Sequence, residues 1–340
     1  MQRSIRHPAC IAAAAAIAAA VLFGPPTRAE DVDPAALVDA LQARAGTHRG
    51  FRRAHAKGVC AEGRFQANGA GRAVSKATLF AAGPPLPVVA RFSIAGGDPG
   101  ASDKRRELRS LALAIPLANG EEFRAAMNHA PVFSVNRPEH FLGLQLSRVP
   151  DPATGLPDPA KVKAFDDAHP DTRPLRDWLA QRPLPIGFRQ AAFFSAHAFK
   201  LTAANGSVRH AKWEFLPDAG VVGISPEDLA RRSDDFLFAD LRADVARAPL
   251  RWRMVLVIGE AGDPLTDPTL LWPENRRRLT VGALTIDRVD AGTGGACRDI
   301  TFDPLLLPAG IDPTDDPVLL ARSAPYAVSL ARRLEEAGRQ

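Results

Sequence analysis

Apolar positions fall into distinct regimes along the chain. An uncharged, alanine-rich run extends from Ile11 to Phe23, with Arg3 and Arg6 before it and Pro25, Pro26, Thr27 and Ala29 after it. Basic residues, an apolar stretch and then small residues are the layout of a secretory signal, which predicts cleavage after Ala29. The run is shorter than the roughly 20 residues a membrane-spanning helix needs, so no retained anchor is expected. Cys10 precedes the run, the wrong side for lipid attachment to a processed N-terminus. From Pro34 to Arg44 the period changes: Leu37, Val38 and Leu41 share one helical face and predict a short amphipathic helix.

Between about Pro87 and Phe215 the pattern shortens to strand-like runs, among them Val88 to Ile94 and Ser110 to Ile115. Asn119-Gly120 and Asn205-Gly206 suit the positive backbone angles of tight turns, so these runs are expected to pair as hairpins. Trp252 to Ile258 and Leu279 to Val289 extend the same sheet, and helices are predicted near Pro159 to Ala168, Thr172 to Gln181 and Pro226 to Leu241. The class expected is α+β, mostly antiparallel, with residues 1–29 as the signal and 30–340 as one domain.

Composition narrows the partners. The 340 residues are 46% hydrophobic and 24% charged, which excludes a coiled coil or a wholly disordered chain. The formal charge of +5 includes Arg3, Arg6 and Arg28, so the processed chain would carry +2, too little for a nucleic-acid surface. Arg276, Arg277 and Arg278 read as solvated surface. Cys60 and Cys297 match no zinc spacing, and export would place them where a disulfide can form; whether they pair is left open. Gly292 to Gly295 lacks a following apolar helix and reads as a plain connection rather than a phosphate cradle.

Three groups of residues could carry chemistry. His55 lies in Arg52-Arg53-Ala54-His55-Ala56-Lys57-Gly58, and a buried imidazole can take and return a proton within one turnover. Asn128, followed by His129, precedes an apolar run; its amide can donate to a bound oxygen, although either residue alone also suits an exposed turn. Tyr326 is the only tyrosine. On a helix Arg322, Tyr326 and Arg333 fall within about 40° of one another. A guanidinium one turn from a phenol favours the phenolate, a good ligand for ferric iron. Thr314 or Asp315 would cap this helix, and Pro325 threatens to kink it.

Taken together, these strings resemble the haem catalase family from about Arg52 to Arg333. The resemblance rests on His55-Ala56-Lys57-Gly58 with Gly63 and Phe65, Arg91-Phe92-Ser93 with Asp103, Arg106 and Arg109, and Asn128 with Pro131 and Phe133. His197-Ala198-Phe199-Lys200-Leu201, Phe302-Asp303-Pro304, Pro308-Ala309-Gly310-Ile311, Asp315-Asp316-Pro317 and Arg322 to Tyr326 continue it in order. It implies an antiparallel β-barrel with peripheral and inserted helices that binds haem b noncovalently, in keeping with the absence of a Cys-x-x-Cys-His string. By position, His55 would be the distal acid-base residue, Asn128 its partner on peroxide, and Ser93 the group orienting His55. Tyr326 would ligate iron and Arg322 hold it as phenolate. Arg52, Arg91 and Arg333 would meet the haem propionates and Phe141 pack on the ring. The resemblance further implies heterolytic peroxide cleavage to an oxo-ferryl haem.

Departures from the family pattern shape the function expected. The chain is shorter than a typical catalase and is expected to lack most of an N-terminal arm and of the C-terminal helical region, leaving a shorter channel. Ala327-Val328-Ser329-Leu330, Ser134 and His129 depart from the usual residues, and Glu274 replaces the histidine of nicotinamide-binding catalases, so no nicotinamide site is expected. A short, exported chain of this kind resembles the catalase-related peroxidases, which implies reduction of organic peroxides and hydrogen peroxide with an external small-molecule donor; the signal pattern places it in the periplasm or outside the cell. A true catalase, a haem carrier without enzymatic activity, and a catalyst of lipid-hydroperoxide rearrangement are the rival readings.

Overall fold

A computed structural model describes residues 32–292 and 294–337; the expected signal at 1–29 lies outside the described residues. Helix α1 (Pro34–Ala45) precedes four strands, β1 (Gly58–Ala67), β2 (Leu86–Ile94), β3 (Arg109–Pro116) and β4 (Glu122–Asn128). Helices α2 (Pro138–Leu146), α3 (Pro159–Ala168) and α4 (Arg173–Gln181) follow, then β5 (Phe193–Phe194), β6 (Phe199–Thr202) and β7 (Val208–Pro217). Helices α5 (Pro226–Arg231) and α6 (Phe236–Arg247) lead into β8 (Leu250–Ile258) and β9 (Arg278–Val289). The described chain ends with β10 (Ile311–Pro313), α7 (Pro317–Leu320) and α8 (Ser323–Ala337).

Every pairing of these strands is antiparallel, and eight of them close a ring in the order β7-β5-β4-β3-β2-β1-β9-β8. Closure removes the free edges that an open sheet would expose. Strands β5 and β6 share one edge of β7, opposite Phe215 and Ala211 respectively, and β10 adds to β6. The expected barrel with peripheral and inserted helices is therefore present.

Alternation decides what lies on each side of the wall. Val88, Ala90, Phe92 and Ile94 of β2, Leu111, Leu113 and Ile115 of β3, and Phe123, Ala125 and Met127 of β4 join the main core. Within that core the Phe92 ring lies 5.2 Å from Phe188, 5.8 Å from Trp252 and 6.2 Å from Phe193. The Trp252 indole donates to the Ala191 carbonyl at 3.0 Å, so its polar atom is satisfied where burial would otherwise penalise it. The alternate residues, Arg91 and Ser93, Ser110 and Ala112, Ala126 and Asn128, must face the other way. They form the outer face on which the site is built.

Both Asn-Gly pairs turn hairpins, β3 to β4 and β6 to β7, with Gly120 at φ 83° and Gly206 at φ 81°. The helix expected from Pro226 to Leu241 is instead two, α5 and α6, because the intervening polar segment is drawn onto a neighbouring loop. There Asp103 N donates to the Asp234 carbonyl at 2.7 Å and Ser102 Oγ bonds the Asp234 carboxylate. Strand β1 has no clear alternation in sequence, being interrupted by Gly58, Gly63 and Arg64, and its register with β9 shifts at Glu62/Gly63. Neither Thr314 nor Asp315 caps a helix. Asp316 does, accepting from Val318 N at 2.9 Å and Leu319 N at 3.2 Å, while Thr314 Oγ1 donates to Ala198 and Leu265 carbonyls. Pro325 falls in the first turn of α8, where a missing N–H costs no helical bond, so it does not interrupt the helix. Arg276 is not plain solvated surface: its side chain is 13% exposed and grips Asp263 through Nε and an Nη atom, both at 2.8 Å.

Cys60 of β1 and Cys297 are joined by a disulfide across 237 residues. It fastens the segment after β9, including the glycine-rich connection, onto the barrel wall. Cys297→Ser is expected to lower stability by about 2–4 kcal/mol in denaturant unfolding, because the open chain regains loop entropy. Unfolding that matches the parent's would show that the link carries no stability.

Candidate active site

A cavity lies against the outer face of β2, β3 and β4, and α1, α2 and α8 also line it. Strand register assembles its barrel side. Gly58, Ser93, Ser110 and Asn128 stand in one row across four strands, and Arg91, Ala112 and Ala126 in the row beside it. The small side chains of Ala112 and Ala126 leave a shallow bed between the polar groups. Leu37, Val38 and Leu41 of α1 face the same space, so that helix's apolar stripe lines the cavity rather than serving packing alone.

The residues singled out from sequence, His55, Ser93, Asn128, Arg52, Arg91, Phe141, Arg322, Tyr326 and Arg333, all border this one cavity. His55 adopts φ 56°, in the left-handed region that non-glycine residues seldom occupy. Two bonds hold it there: Arg91 donates to the His55 carbonyl at 2.8 Å, and Ala56 N donates to the Gly96 carbonyl at 3.0 Å. Ser93 Oγ lies 3.3 Å from His55 Nδ1, which leaves Nε2 for the cavity. Burial pushes the His55 pKa down to about 3, helped by the charges of Arg91, Arg322 and Arg52. The ring is neutral at working pH and can accept a proton.

Ser110, which sequence reasoning passed over, donates to Asn128 Oδ1 at 2.6 Å. That bond occupies the amide oxygen and orients the amide NH₂ as a donor. The only signal for it in sequence was Ser110's place in an alternating run, uninformative until the register set it opposite Asn128. His129, next along, could have been an exposed turn residue; it is 3% exposed, its Nδ1 accepting from Arg109 N at 2.9 Å.

Helix α8 supplies another part of the wall. Arg322 donates to the Tyr326 phenol oxygen and its guanidinium lies 5.2 Å from the ring centroid. One and two turns further, Ser329, Leu330 and Arg333 reach the same cavity.

Positive charge is in excess here, with Asp299 offsetting that of Arg52 and Arg333 only in part. Burial, then the charges of Arg91 and Arg333, push the Arg52 pKa down to about 8; burial and Arg333 push Arg91 to about 10. Burial likewise lowers Arg333. Guanidinium does not give up its proton in proteins, so these displacements measure how unfavourable the unpaired charges are. Arg52 donates to the Cys297, Arg298 and Ile300 carbonyls, and Arg91 to those of His55 and Ala56. Arg333 is 5% exposed, yet its Nε and one Nη atom have no hydrogen-bond partner among the described residues. Gly58 makes room for the cluster, since a Cβ there would lie 2.7 Å from Arg91 Cζ. Orphaned buried donors beside a phenol and a flat apolar bed fit an anionic, planar ligand.

The catalase family model matches residues 34–339. The chain belongs to the catalase family. Among its relatives in that family is a catalase-related peroxidase of Synechococcus elongatus, 37% identical over 305 residues and covering 90% of each chain. A catalase-related peroxidase of Mycolicibacterium paratuberculosis is 28% identical, over 88% of this chain and 94% of that one. In fold, the chain matches a bacterial catalase with a TM-score of 0.77 at 22% identity, over 93% of this chain but 63% of that one. No helix among the described residues is long and apolar enough to cross a membrane.

Burial of His129 also has a measurable consequence. Its pKa is pushed down to about 3, first by burial and then by Arg109. Unfolded, the ring takes a proton near pH 6.5; folded, it resists. Acid therefore favours unfolding, and His129 should cost about 1.4 kcal/mol of stability per pH unit as pH falls from about 6.5 towards 3. His129→Gln should lessen the slope of denaturant-measured stability in that window by about 1.4 kcal/mol per pH unit, with the share of His55 remaining, and leave the slope unchanged above pH 7.

Proposed function

We propose that this chain is an exported haem peroxidase that reduces organic peroxides and hydrogen peroxide with electrons from a small-molecule donor. The observation that carries the reading is the shared cavity, where a neutral imidazole and an amide donor from the barrel meet a phenol on α8 held by arginine. The relatives of matching length, named as catalase-related peroxidases, favour this over a true catalase. Export is supported by the Arg3-to-Ala29 pattern and by the Cys60–Cys297 disulfide, which suits an oxidising compartment.

The residues fit haem b. Tyr326 would offer its phenol oxygen to the iron, Arg52, Arg91 and Arg333 would meet the two propionates, and Phe141 would lie against the porphyrin. Bound haem would supply the redox-active iron at which the O–O bond is split.

Protons are managed by the protein. His55 Nε2 would take the proton of ROOH as peroxide binds and give it to the departing oxygen, releasing ROH, or water when R is hydrogen. Asn128 would donate its amide N–H to a peroxide oxygen throughout, with Ser110 holding the amide and Ser93 the imidazole. Apolar side chains from α1 and α2 would keep bulk water from competing for these groups. The donor's two electrons, with a further proton pair, complete ROOH + 2e⁻ + 2H⁺ → ROH + H₂O.

His55→Ala should retain haem, seen as an unchanged Soret band, while peroxide cleavage slows by about 10²–10⁴-fold. An unchanged rate would favour a haem carrier. Tyr326→Phe should lose phenolate-ligated haem and donor oxidation together. Because the base is neutral down to about pH 3, the parent's cleavage rate should show no loss between pH 5 and 8 that His55→Ala abolishes. Strong oxygen release with negligible donor oxidation would instead make the chain a true catalase.

A further inference from the structure

Away from the cavity wall, three potential metal ligands converge where the early helices meet. His140 lies on α2, His169 caps the end of α3, and Asp171 lies in the short turn that follows. His140 Nδ1 is 3.0 Å from Asp171 Oδ2, the two imidazole centroids are 4.3 Å apart, and one donor atom from each of the three residues falls within 4.8 Å of the others. All three side chains are half-buried. This is the one such grouping of metal-ligating side chains among the described residues.

The cluster is held by bonds of its own. Asp171 Oδ2 accepts from Asn136 N at 3.1 Å, and Asn136 in turn donates its side-chain amide to Asp267 at 2.8 Å. The His169 ring stacks on Phe165 at 4.1 Å, and its carbonyl accepts from Thr172 N and Oγ1. Gly143 allows the close approach, because a Cβ there would lie 2.6 Å from the Phe165 ring. Such outer contacts fix ligand orientation at metal centres.

We propose that His140, His169 and Asp171 bind one divalent transition-metal ion of the zinc type. Two imidazoles and a carboxylate, with no thiolate, match the preferences of such ions over magnesium or calcium. At metal–ligand distances of about 2.0–2.1 Å, tetrahedral ligands stand about 3.4 Å apart, so ligand atoms that now lie within 4.8 Å of one another must close by at most about 1.4 Å, with His169 free to turn inward. Its position at the end of α3 permits that. Three protein ligands leave the remaining position to water. The ion ties α2 to the turn after α3, and α2 carries Pro138 and Phe141 on the cavity wall, so the metal braces one side of the haem site. It takes no part in the proton chemistry assigned to His55.

The test is zinc uptake by the haem-loaded full chain, incubated with micromolar zinc chloride, passed through gel filtration and assayed by atomic emission. One zinc per chain is expected in the parent and in His48→Gln. His169→Gln and His140→Gln should each take up nearly none, with elution volume and Soret band as in the parent. Thermal denaturation gives a second readout: zinc should raise the melting temperature of the parent and not that of His169→Gln. Absence of uptake in the parent, or stoichiometric uptake that survives both substitutions, overturns the proposal. If His140→Gln disturbs α2, His169→Gln alone decides between the two outcomes, because its side chain lies beyond the last turn of α3.

Discussion

Burying more positive than negative charge is the constraint from which the rest of this site follows. Arg52, Arg91 and Arg333 are brought together from the loop before β1, from β2 and from α8; burial disfavours all three, neighbouring arginines add to this for Arg52 and Arg91, and Asp299 offsets it only in part for Arg52 and Arg333. A protein that placed them for stability alone would have matched them with carboxylates, as it does for Arg276 and Asp263 or for Lys57 and Asp103. Instead Arg52 and Arg91 are spent on carbonyls and Arg333 keeps donors free. The arrangement is costly by itself, and the two carboxylates of the proposed haem would offset that cost.

The barrel makes that arrangement reproducible. Its interior fills with Phe92, Phe193 and Trp252, which leaves the same strands free to present polar residues outward in alternation. One strand slipped by one residue would exchange Arg91 for Phe92 at the cavity. The turn between β3 and β4, the ladder between β1 and β2, and the Cys60–Cys297 link therefore act on chemistry as well as on stability. Helices α1, α2 and α8 then close over a face that would otherwise be wet.

Much of this was legible in the chain. Val88 to Ile94 and Ser110 to Ile115 announced strands by their apolar content, and Arg322, Tyr326 and Arg333 shared a face by helical periodicity alone. Tertiary partners were not legible. A two-residue turn on Asn119-Gly120 would have placed Ser110 opposite His129; the wider turn observed places it opposite Asn128, and the bond that orients the amide depends on that single step. The break between α5 and α6 depends on a loop more than 100 residues earlier, at Ser102 and Asp103. Burial of His129 reflects packing from Trp178 on α4, a contact that its neighbours in sequence do not announce. Local pattern carried the elements, and the resemblance carried the site.

In the proposed holoprotein the arginine cluster receives the carboxylates of a porphyrin whose iron meets Tyr326. Haemin titration of the apoprotein, compared with haemin dimethyl ester in which both carboxylates are masked, tests it most directly. Haemin should bind one per chain with the absorption of a ferric phenolate complex, and the diester at least about a hundredfold more weakly, since several charge-assisted bonds are lost. Equal affinity for the two, or no stoichiometric complex with haemin, would contradict the account.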